Sequence, residues 1–335
     1  MDLSTTYMGL KLSSPLVPSA SPLCSEVDNI KRMADAGAGA VVLHSLFEEQ
    51  IRHDTGELDF YLQQGTERFA ESLSYFPHMD DYMLGPDDYL EHIVRAKEAV
   101  KIPIIASLNG ISAGGWISYA KRMEEAGADA LELNIYYLPA DGKLASQQVE
   151  AAYLLILQAV KMSVSIPVSV KLSPYFSSVA NMMILLAGAG ADGLVLFNRF
   201  LQPDLNIETL EVDLSHNLST SADNHLPIRW IAIMHGRIGA SLAASHGIHT
   251  GADVVKAIMA GADVTMMTSA LLTNGIAHLA TVREEVEEYM KRKQYESIQQ
   301  MKGILSQQKV ADPNAFERAN YVKLLQSYGL TAPRE

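Results

Sequence analysis

A short motif, Ala-Gly-Ala followed by Gly or Asp, occurs four times and constrains the fold more than any other feature of the chain. Each copy precedes a run of apolar residues, and the copies occupy residues 36–39, 126–129, 189–192 and 260–263. Glycine just past a helix can adopt the left-handed conformation that ends it, and a short apolar run is typical of a buried parallel strand. The motif therefore predicts a helix-to-strand connection.

The spacing of the motif leaves room for one more strand and helix between neighbouring copies. The copies lie about 60 to 90 residues apart, and one strand–helix unit takes roughly 30 to 45 residues. Further apolar runs lie at residues 15–20, 102–107, 166–171 and 241–245. Eight strands alternating with helices predict an α/β fold, a (β/α)8 TIM barrel over residues 1–290.

A C-terminal helical extension is expected over residues 291–335. Asp312 and Pro313 form a helix-start signal, and Gly329 can end the helix. This pattern predicts an amphipathic helix over residues 313–328 that packs on the barrel or on a second subunit.

The overall charge argues against two classes of partner. The chain has a formal net charge of −13, whereas nucleic acids and anionic membranes are bound through basic patches. No apolar stretch reaches the length of a membrane span, and the N-terminus lacks the pattern of a secretion signal. Cys24 is the only cysteine, which excludes an intrachain disulfide. We therefore expect a cytoplasmic enzyme that binds a small molecule and neither nucleic acid nor membrane.

Small and polar residues at the ends of the predicted strands define the candidate site, because barrels of this type carry their chemistry at the C-terminal ends of the strands. No pair of carboxylates converges there, which argues against glycoside hydrolysis, and the histidines show no metal-ligand spacing. The last two strand ends combine small residues with a helix start at Thr250, which is typical of a phosphate site. The strand-end residues are Ser19, Ala20, Ser21, His44, Ser45, Asn134, Lys171, Asn198, Ser245, His246, Gly247, Thr268 and Ser269.

Lys171 is the most informative of these residues. It ends an interior strand, where an ammonium group is costly to bury unless it meets an anion or takes part in chemistry. Two chemistries are open on this ground: a Schiff base with a carbonyl substrate, or donation to an electron-rich cofactor ring.

Several of these segments resemble the dihydroorotate dehydrogenase family, most closely its cytosolic class 1 members. The most specific is the run from Lys171 to Phe176, which reads KLSPYF. The resemblance extends from the first predicted strand to the last barrel helix. Its other matching segments are residues 13–21, 36–38, 132–134, 197–198, 247–251, 261–263 and 268–271.

The resemblance implies FMN at the top of the barrel and dihydroorotate, or a related small cyclic acid or amide, as the substrate that passes a hydride to the flavin. Lys171 would stabilise negative charge on the flavin ring, and Asn134 and Asn198 would contact the substrate. Class 1 relatives also imply a homodimer and a place in pyrimidine biosynthesis. The implied FMN contacts are Ser19, Ala20, Ser21, His44, Ser45, Asn134, Lys171, Ser245, His246, Gly247, Thr268 and Ser269.

Four positions depart from the family pattern. His44 stands where the family has a lysine, and His246 replaces the first glycine of the phosphate loop. Arg199, directly after Asn198, offers a bidentate fork to a substrate carboxylate. Tyr137 stands where class 1 enzymes have a cysteine base. Since tyrosine has an ordinary pKa of about 10, Tyr137 is either an activated proton acceptor or a packing residue.

Three functional hypotheses follow from the sequence. The first is an FMN-dependent oxidoreductase of the dihydroorotate dehydrogenase type with Lys171 and Tyr137 as catalytic residues. The second is a flavin- or metabolite-binding protein without turnover, favoured by the missing cysteine and by the aromatic, acidic residues 69–82 in place of an asparagine-rich substrate loop. The third is a Schiff-base lyase that uses Lys171.

Overall fold

The computed structural model describes residues 1–54, 85–112, 114, 117–200, 202–213 and 218–317. The strands are β1 (Thr5–Tyr7), β2 (Leu10–Leu12), β3 (Leu16–Pro18), β4 (Val41–Phe47), β5 (Ile104–Asn109), β6 (Ala130–Asn134), β7 (Val168–Leu172), β8 (Gly193–Leu196), β9 (Asp204–Asn206), β10 (Glu211–Asp213), β11 (Ser241–Ser245) and β12 (Val264–Met267). The helices are α1 (Val27–Asp35), α2 (Glu48–Asp54), α3 (Pro86–Ala99), α4 (Ile117–Glu125), α5 (Ser146–Ser163), α6 (Val179–Gly188), α7 (His225–Met234), α8 (Gly251–Ala260), α9 (Ser269–Asn274), α10 (His278–Lys293) and α11 (Ile298–Met301). Segments 69–82 and 318–335 lie outside the described residues.

An eight-stranded parallel sheet forms the centre of the molecule. Its strand order is β4-β5-β6-β7-β8-β11-β12-β3, and helices alternate with the strands along the chain. The two outer strands of this order meet through Gly39, whose N–H donates to the carbonyl of Leu16 at 2.8 Å. All eight predicted strands are present, and the predicted (β/α)8 barrel is confirmed.

The Ala-Gly-Ala motif ends a helix at each of its four copies, as predicted. Its glycines have φ between 98° and 124°, a region that residues with a Cβ rarely adopt. They are Gly37, Gly127, Gly190 and Gly261.

The aspartate that follows the motif has a second role that the sequence pattern did not reveal. Asp129 accepts from the N–H of Ile104 at 2.7 Å, and Asp192 accepts from the N–H of Val168 at 2.8 Å. Asp263 accepts from Leu242 in the same way at 2.7 Å. Each aspartate therefore satisfies a backbone donor at the start of the preceding barrel strand.

The first copy of the motif has Gly39 in place of this aspartate. A Cβ at Gly39 would lie 2.0 Å from the carbonyl oxygen of Ser14, so the position admits no side chain. The close approach lets the backbone of residue 39 reach β3 and complete the ring of strands.

The hydrophobic core has two layers. The larger layer lies between the strands and the surrounding helices, and the smaller one fills the inside of the barrel. The β1–β2 hairpin contributes Tyr7, Met8 and Leu12 to the inner layer, and Tyr7 is fully buried. The N-terminal hairpin thus packs into the barrel interior from the end opposite the strands' C-termini.

Residues after α10 pack on the outside of the barrel. The N–H of Leu305 donates to Met259 at 2.8 Å, and that of Gln307 donates to Ala232 at 2.9 Å. The helix predicted at residues 313–328 begins with a single 3-10 turn over Pro313–Phe316, and its remainder lies beyond the described residues. Within the described ranges no helix is both long and apolar enough to cross a membrane.

Candidate active site

A cavity of about 380 Å³ opens at the C-terminal ends of the barrel strands. This volume lies within the range of small-molecule sites, roughly 300–1,000 Å³. Eleven of the predicted site residues line it: Ser19, Ala20, Ser21, Lys171, Asn198, Arg199, Ser245, His246, Gly247, Thr268 and Ser269. The remaining lining residues, which sequence reasoning missed, are Pro22, Phe197, Leu218, Ser219, Ile248, Met266 and Leu272.

Lys171 reaches the cavity from the interior of the barrel. It is only 7% exposed, and its Nζ lies 3.2 Å from Ser19 Oγ and 3.4 Å from Glu132 Oε1. An ammonium group so placed can stabilise negative charge that develops on a molecule in the cavity. The structure therefore places Lys171 where a charge-stabilising residue of this site must lie.

Glu132 is the buried counter-ion of Lys171. Its side chain is fully buried, and its Oε2 has no hydrogen-bond partner among the described residues. Tyr7 lies close by, and burial, together with the charge of Glu132, raises its pKa well above the ordinary value. The two-residue alternation that points Asn134 inward also points Glu132 inward, and this is the signal by which the sequence could have identified it.

Asn134 and Asn198 form an amide pair above the strands. Asn198 Nδ2 donates to Asn134 Oδ1 at 2.7 Å. With the amides assigned this way, Asn134 retains its NH₂ group and Asn198 retains its carbonyl oxygen. The pair can therefore offer one donor side and one acceptor side to a planar cyclic amide.

The loop after β11 leaves the α8 N-terminus unsuited to bind phosphate. Asp253 accepts from the backbone N–H groups of His249 at 3.2 Å and Thr250 at 3.1 Å. The N–H of Gly251 is bound to Glu285 Oε2. Because these donors are already satisfied within the protein, any phosphate in the cavity must lie nearer the loops at Ser245–Gly247 and Thr268–Ser269.

Gly247 allows a close contact beside this loop. It has φ of 72°, and a Cβ there would lie 2.4 Å from the backbone nitrogen of Asn224. Asn224 Nδ2 in turn donates to Asp253 Oδ1 at 2.7 Å. The 3-10 turn Ser221–Asn224 is thereby fixed against the β11 loop.

His44 does not line the cavity, so the structure does not support the predicted cofactor contact through its side chain. A register shift in β4 between Val42 and Ser45 accompanies packing of the His44 ring on α3, edge-on to Tyr89 with centroids 5.0 Å apart. Burial and the neighbouring His92 lower the pKa of His44 to about 4. Ser45 also lies off the cavity and pairs with Ser107 through their hydroxyl oxygens at 2.8 Å.

Tyr137 lies in a different cavity from Lys171. That cavity, of about 470 Å³, is also lined by Ser112 and Gln148. The structure therefore does not bring the predicted base together with the rest of the site.

Comparison with known proteins identifies the family. Residues 80–290, more than half of the chain, match the family model for dihydroorotate dehydrogenase. The chain belongs to the dihydroorotate dehydrogenase family. The similar proteins include the catalytic subunit of dihydroorotate dehydrogenase B (NAD⁺) from Thermoplasma volcanium, which is 28% identical over 90% of this chain and 98% of its own length. The corresponding subunit from Methanocaldococcus jannaschii is 26% identical over 86% of this chain and 94% of its own length. Dihydroorotate dehydrogenase A (fumarate) from Lactobacillus helveticus is 29% identical over 55% of this chain and 61% of its own length.

Membership of the dihydroorotate dehydrogenase family makes the protein a flavin-dependent oxidoreductase that acts on a small molecule. The predicted enzyme class is confirmed, and with it the place of the family in pyrimidine biosynthesis. The Schiff-base hypothesis for Lys171 receives no support, because this lysine pairs with a buried carboxylate inside an oxidoreductase barrel.

Proposed function

We propose that the protein binds FMN in the 380 Å³ cavity and oxidises dihydroorotate or a closely related cyclic acid. The observation that carries the proposal is the position of Lys171, a buried ammonium group at the cavity wall. A cationic group there suits an electron-accepting ring on which negative charge accumulates.

The residues of the cavity suit FMN at both of its ends. Lys171 and Ser19 would hold the ring, and the small residues Ser245, Gly247 and Ser269 leave room for the phosphate. When bound, FMN would supply the hydride acceptor of the reaction. Backbone contacts of this kind tolerate changes of side chain, so the family departures at His44 and His246 are compatible with flavin binding.

The substrate would lie above the amide pair. Asn134 Nδ2 and Asn198 Oδ1 can bind the acceptor and donor groups of a dihydropyrimidine ring. The guanidinium group of Arg199 lies beside them on the cavity wall. These residues orient the ring, and they leave its oxidation to FMN and a proton acceptor.

A cytoplasmic homodimer is proposed on the resemblance to class 1 enzymes, with residues 291–335 packed on the barrel or on the second subunit. The electron acceptor is a soluble molecule under this proposal. Light scattering of the purified protein tests the dimer, since a monomeric mass would contradict it.

The first test is spectroscopic. Titration of the purified protein with FMN should give a 1:1 complex, and addition of dihydroorotate without oxygen should bleach the flavin absorbance. A protein that takes up no FMN would overturn the proposal. Uptake of FMN without bleaching by dihydroorotate would instead favour a flavin-binding protein without dihydroorotate turnover.

The proton acceptor is tested by Tyr137→Phe. If Tyr137 moves to the substrate and accepts its proton, the variant should reduce its flavin about 10²- to 10⁴-fold more slowly, the usual contribution of a positioned base. Stopped-flow measurement of flavin bleaching across pH reads the effect. Tyr136→Phe is the matched control, because Tyr136 stacks on Phe200 at 4.1 Å through its ring alone. An unchanged rate in Tyr137→Phe would remove the hydroxyl from the mechanism.

A further inference from the structure

A second cavity of about 360 Å³ adjoins the first. The two cavities share Phe197, Asn198, Arg199 and His246 as a common wall. Tyr175 and Phe200 flank the second cavity, with their rings edge-on and centroids 5.8 Å apart. A molecule bound over Asn198 therefore meets both spaces.

Two polar atoms in this shared wall have no partner. Arg199 Nη1 and His246 Nε2 are buried, and neither has a hydrogen bond within the described part of the chain. Leaving a buried polar group unpaired costs about 1–3 kcal/mol, and more when the group is charged. The wall thus presents a guanidinium N–H and an imidazole nitrogen that a bound acceptor would satisfy.

His246 also has an unusual backbone conformation. Its φ of 89° lies in the region that favours glycine, which costs a residue with a Cβ about 1–3 kcal/mol. A glycine at this position would turn the chain without that cost. The strain is consistent with a role for the imidazole itself, beside the unpaired nitrogen of Arg199.

Asp223 lies near both groups without binding either. Burial tends to raise its pKa, but the hydrogen bond from the Thr220 N–H, together with the charges of His246 and Arg199, brings its pKa below the ordinary value. Its Oδ2 accepts from Thr220 N at 2.7 Å and Thr220 Oγ1 at 3.2 Å. The carboxylate balances the charge of the wall, and the donor of Arg199 stays available for an external anion.

We propose that Arg199 and His246 together bind the carboxylate of the substrate, so that the enzyme selects planar cyclic acids over neutral cyclic amides. The inference rests on the proposed function and assigns the His246 side chain to the substrate instead of the cofactor. Arg199 directly follows Asn198, so a ring bound at the amide pair places its substituent at the guanidinium group. A planar guanidinium fork matches a carboxylate, and the second cavity leaves space around that substituent.

The test compares two ligands that differ by one carboxylate, orotate and uracil. Calorimetric titration of the protein, with and without FMN, should show orotate binding about 10- to 100-fold more weakly in Arg199→Gln than in wild type, because a charge-assisted hydrogen bond is lost. Uracil binding should be unchanged. Arg32→Gln, which changes an exposed arginine on α1, is the matched control.

His246→Gly provides the second variant. Glycine adopts φ of 89° without strain, so this variant should fold at least as well as wild type while losing orotate affinity by a similar or smaller factor. Equal loss for orotate and uracil, or no loss for orotate, would overturn the proposal.

A further comparison separates the substrate carboxylate from the flavin phosphate as the anion bound. If either variant weakens FMN but leaves riboflavin and orotate unaffected, the wall binds the cofactor phosphate and the inference is wrong. If wild-type protein takes up no FMN yet prefers orotate to uracil through Arg199, the proposed function fails while the carboxylate subsite stands.

Discussion

Replacing Glu132 by leucine should lower the free energy of unfolding by about 3–5 kcal/mol, the usual effect of removing one partner from a buried ion pair. Glu132 is fully buried, and its partner Lys171 is nearly so. Without the carboxylate, the ammonium group of Lys171 would remain inside the barrel with Ser19 Oγ as its one remaining polar contact among the described residues. Urea denaturation of the FMN-free protein measures the change.

The double variant Glu132→Leu, Lys171→Met separates stability from chemistry. Removing both charges together should restore most of the lost stability, because no uncompensated charge is left in the core. It should not restore flavin reduction, which we expect to be slowed roughly 10²- to 10³-fold whenever the ammonium group is absent. Recovery of the rate with the double variant would contradict the role proposed for Lys171.

A partly exposed ion pair serves as the control. Lys161 and Asp192 lie 2.7 Å apart, with side chains 27% and 37% exposed. Lys161→Met should cost at most about 1 kcal/mol, because solvent screens such a pair. If Glu132→Leu costs no more than Lys161→Met, the Lys171–Glu132 pair does not stabilise the barrel.

The features that the sequence predicted correctly are those that local chemistry determines. Gly127 and Gly190 end helices because their φ values near 100° suit glycine, and the apolar runs that follow become parallel strands. Repetition of this joint was enough to place the strand ends, and with them Lys171, Asn198 and Thr268 at one cavity. Periodicity and turn chemistry are visible in one sequence, so this part of the site could be predicted.

The features that the sequence did not predict depend on contacts between distant segments. The register shift in β4 accompanies packing of His44 on Tyr89, a residue of α3 that the sequence pattern alone does not pair with it. The donors at the start of α8 are satisfied by Asp253 and by Glu285 of α10. Neither arrangement follows from spacing, and each changes which groups face the cavity.

The interior of the barrel links its two ends through charge. Tyr7, from the N-terminal hairpin, lies beside Glu132, and Glu132 pairs with Lys171 at the cavity. A change in the hairpin can therefore alter the position of the lysine ammonium group without contact with the cavity itself. The buried carboxylate is the connecting group, because both neighbours interact with it.

Gly39→Ala should be the most damaging single methyl addition in the motif, with a loss of about 3 kcal/mol or more in the free energy of unfolding. The new Cβ would lie 2.0 Å from the carbonyl oxygen of Ser14, and the backbone must separate to admit it. That movement would also break the bond from the Gly39 N–H to Leu16, through which the outer strands of the sheet meet.

Gly188→Ala is the matched control for this prediction. Gly188 is the last residue of α6, and an added Cβ there would meet nothing within 4 Å. Alanine in a helix should stabilise the protein by roughly 0.5–1 kcal/mol, so the two alanine variants should shift the urea midpoint in opposite directions. Equal effects would show that the ring tolerates separation at residue 39. The absence of aspartate from the first motif copy would then need an explanation other than the close approach of β3.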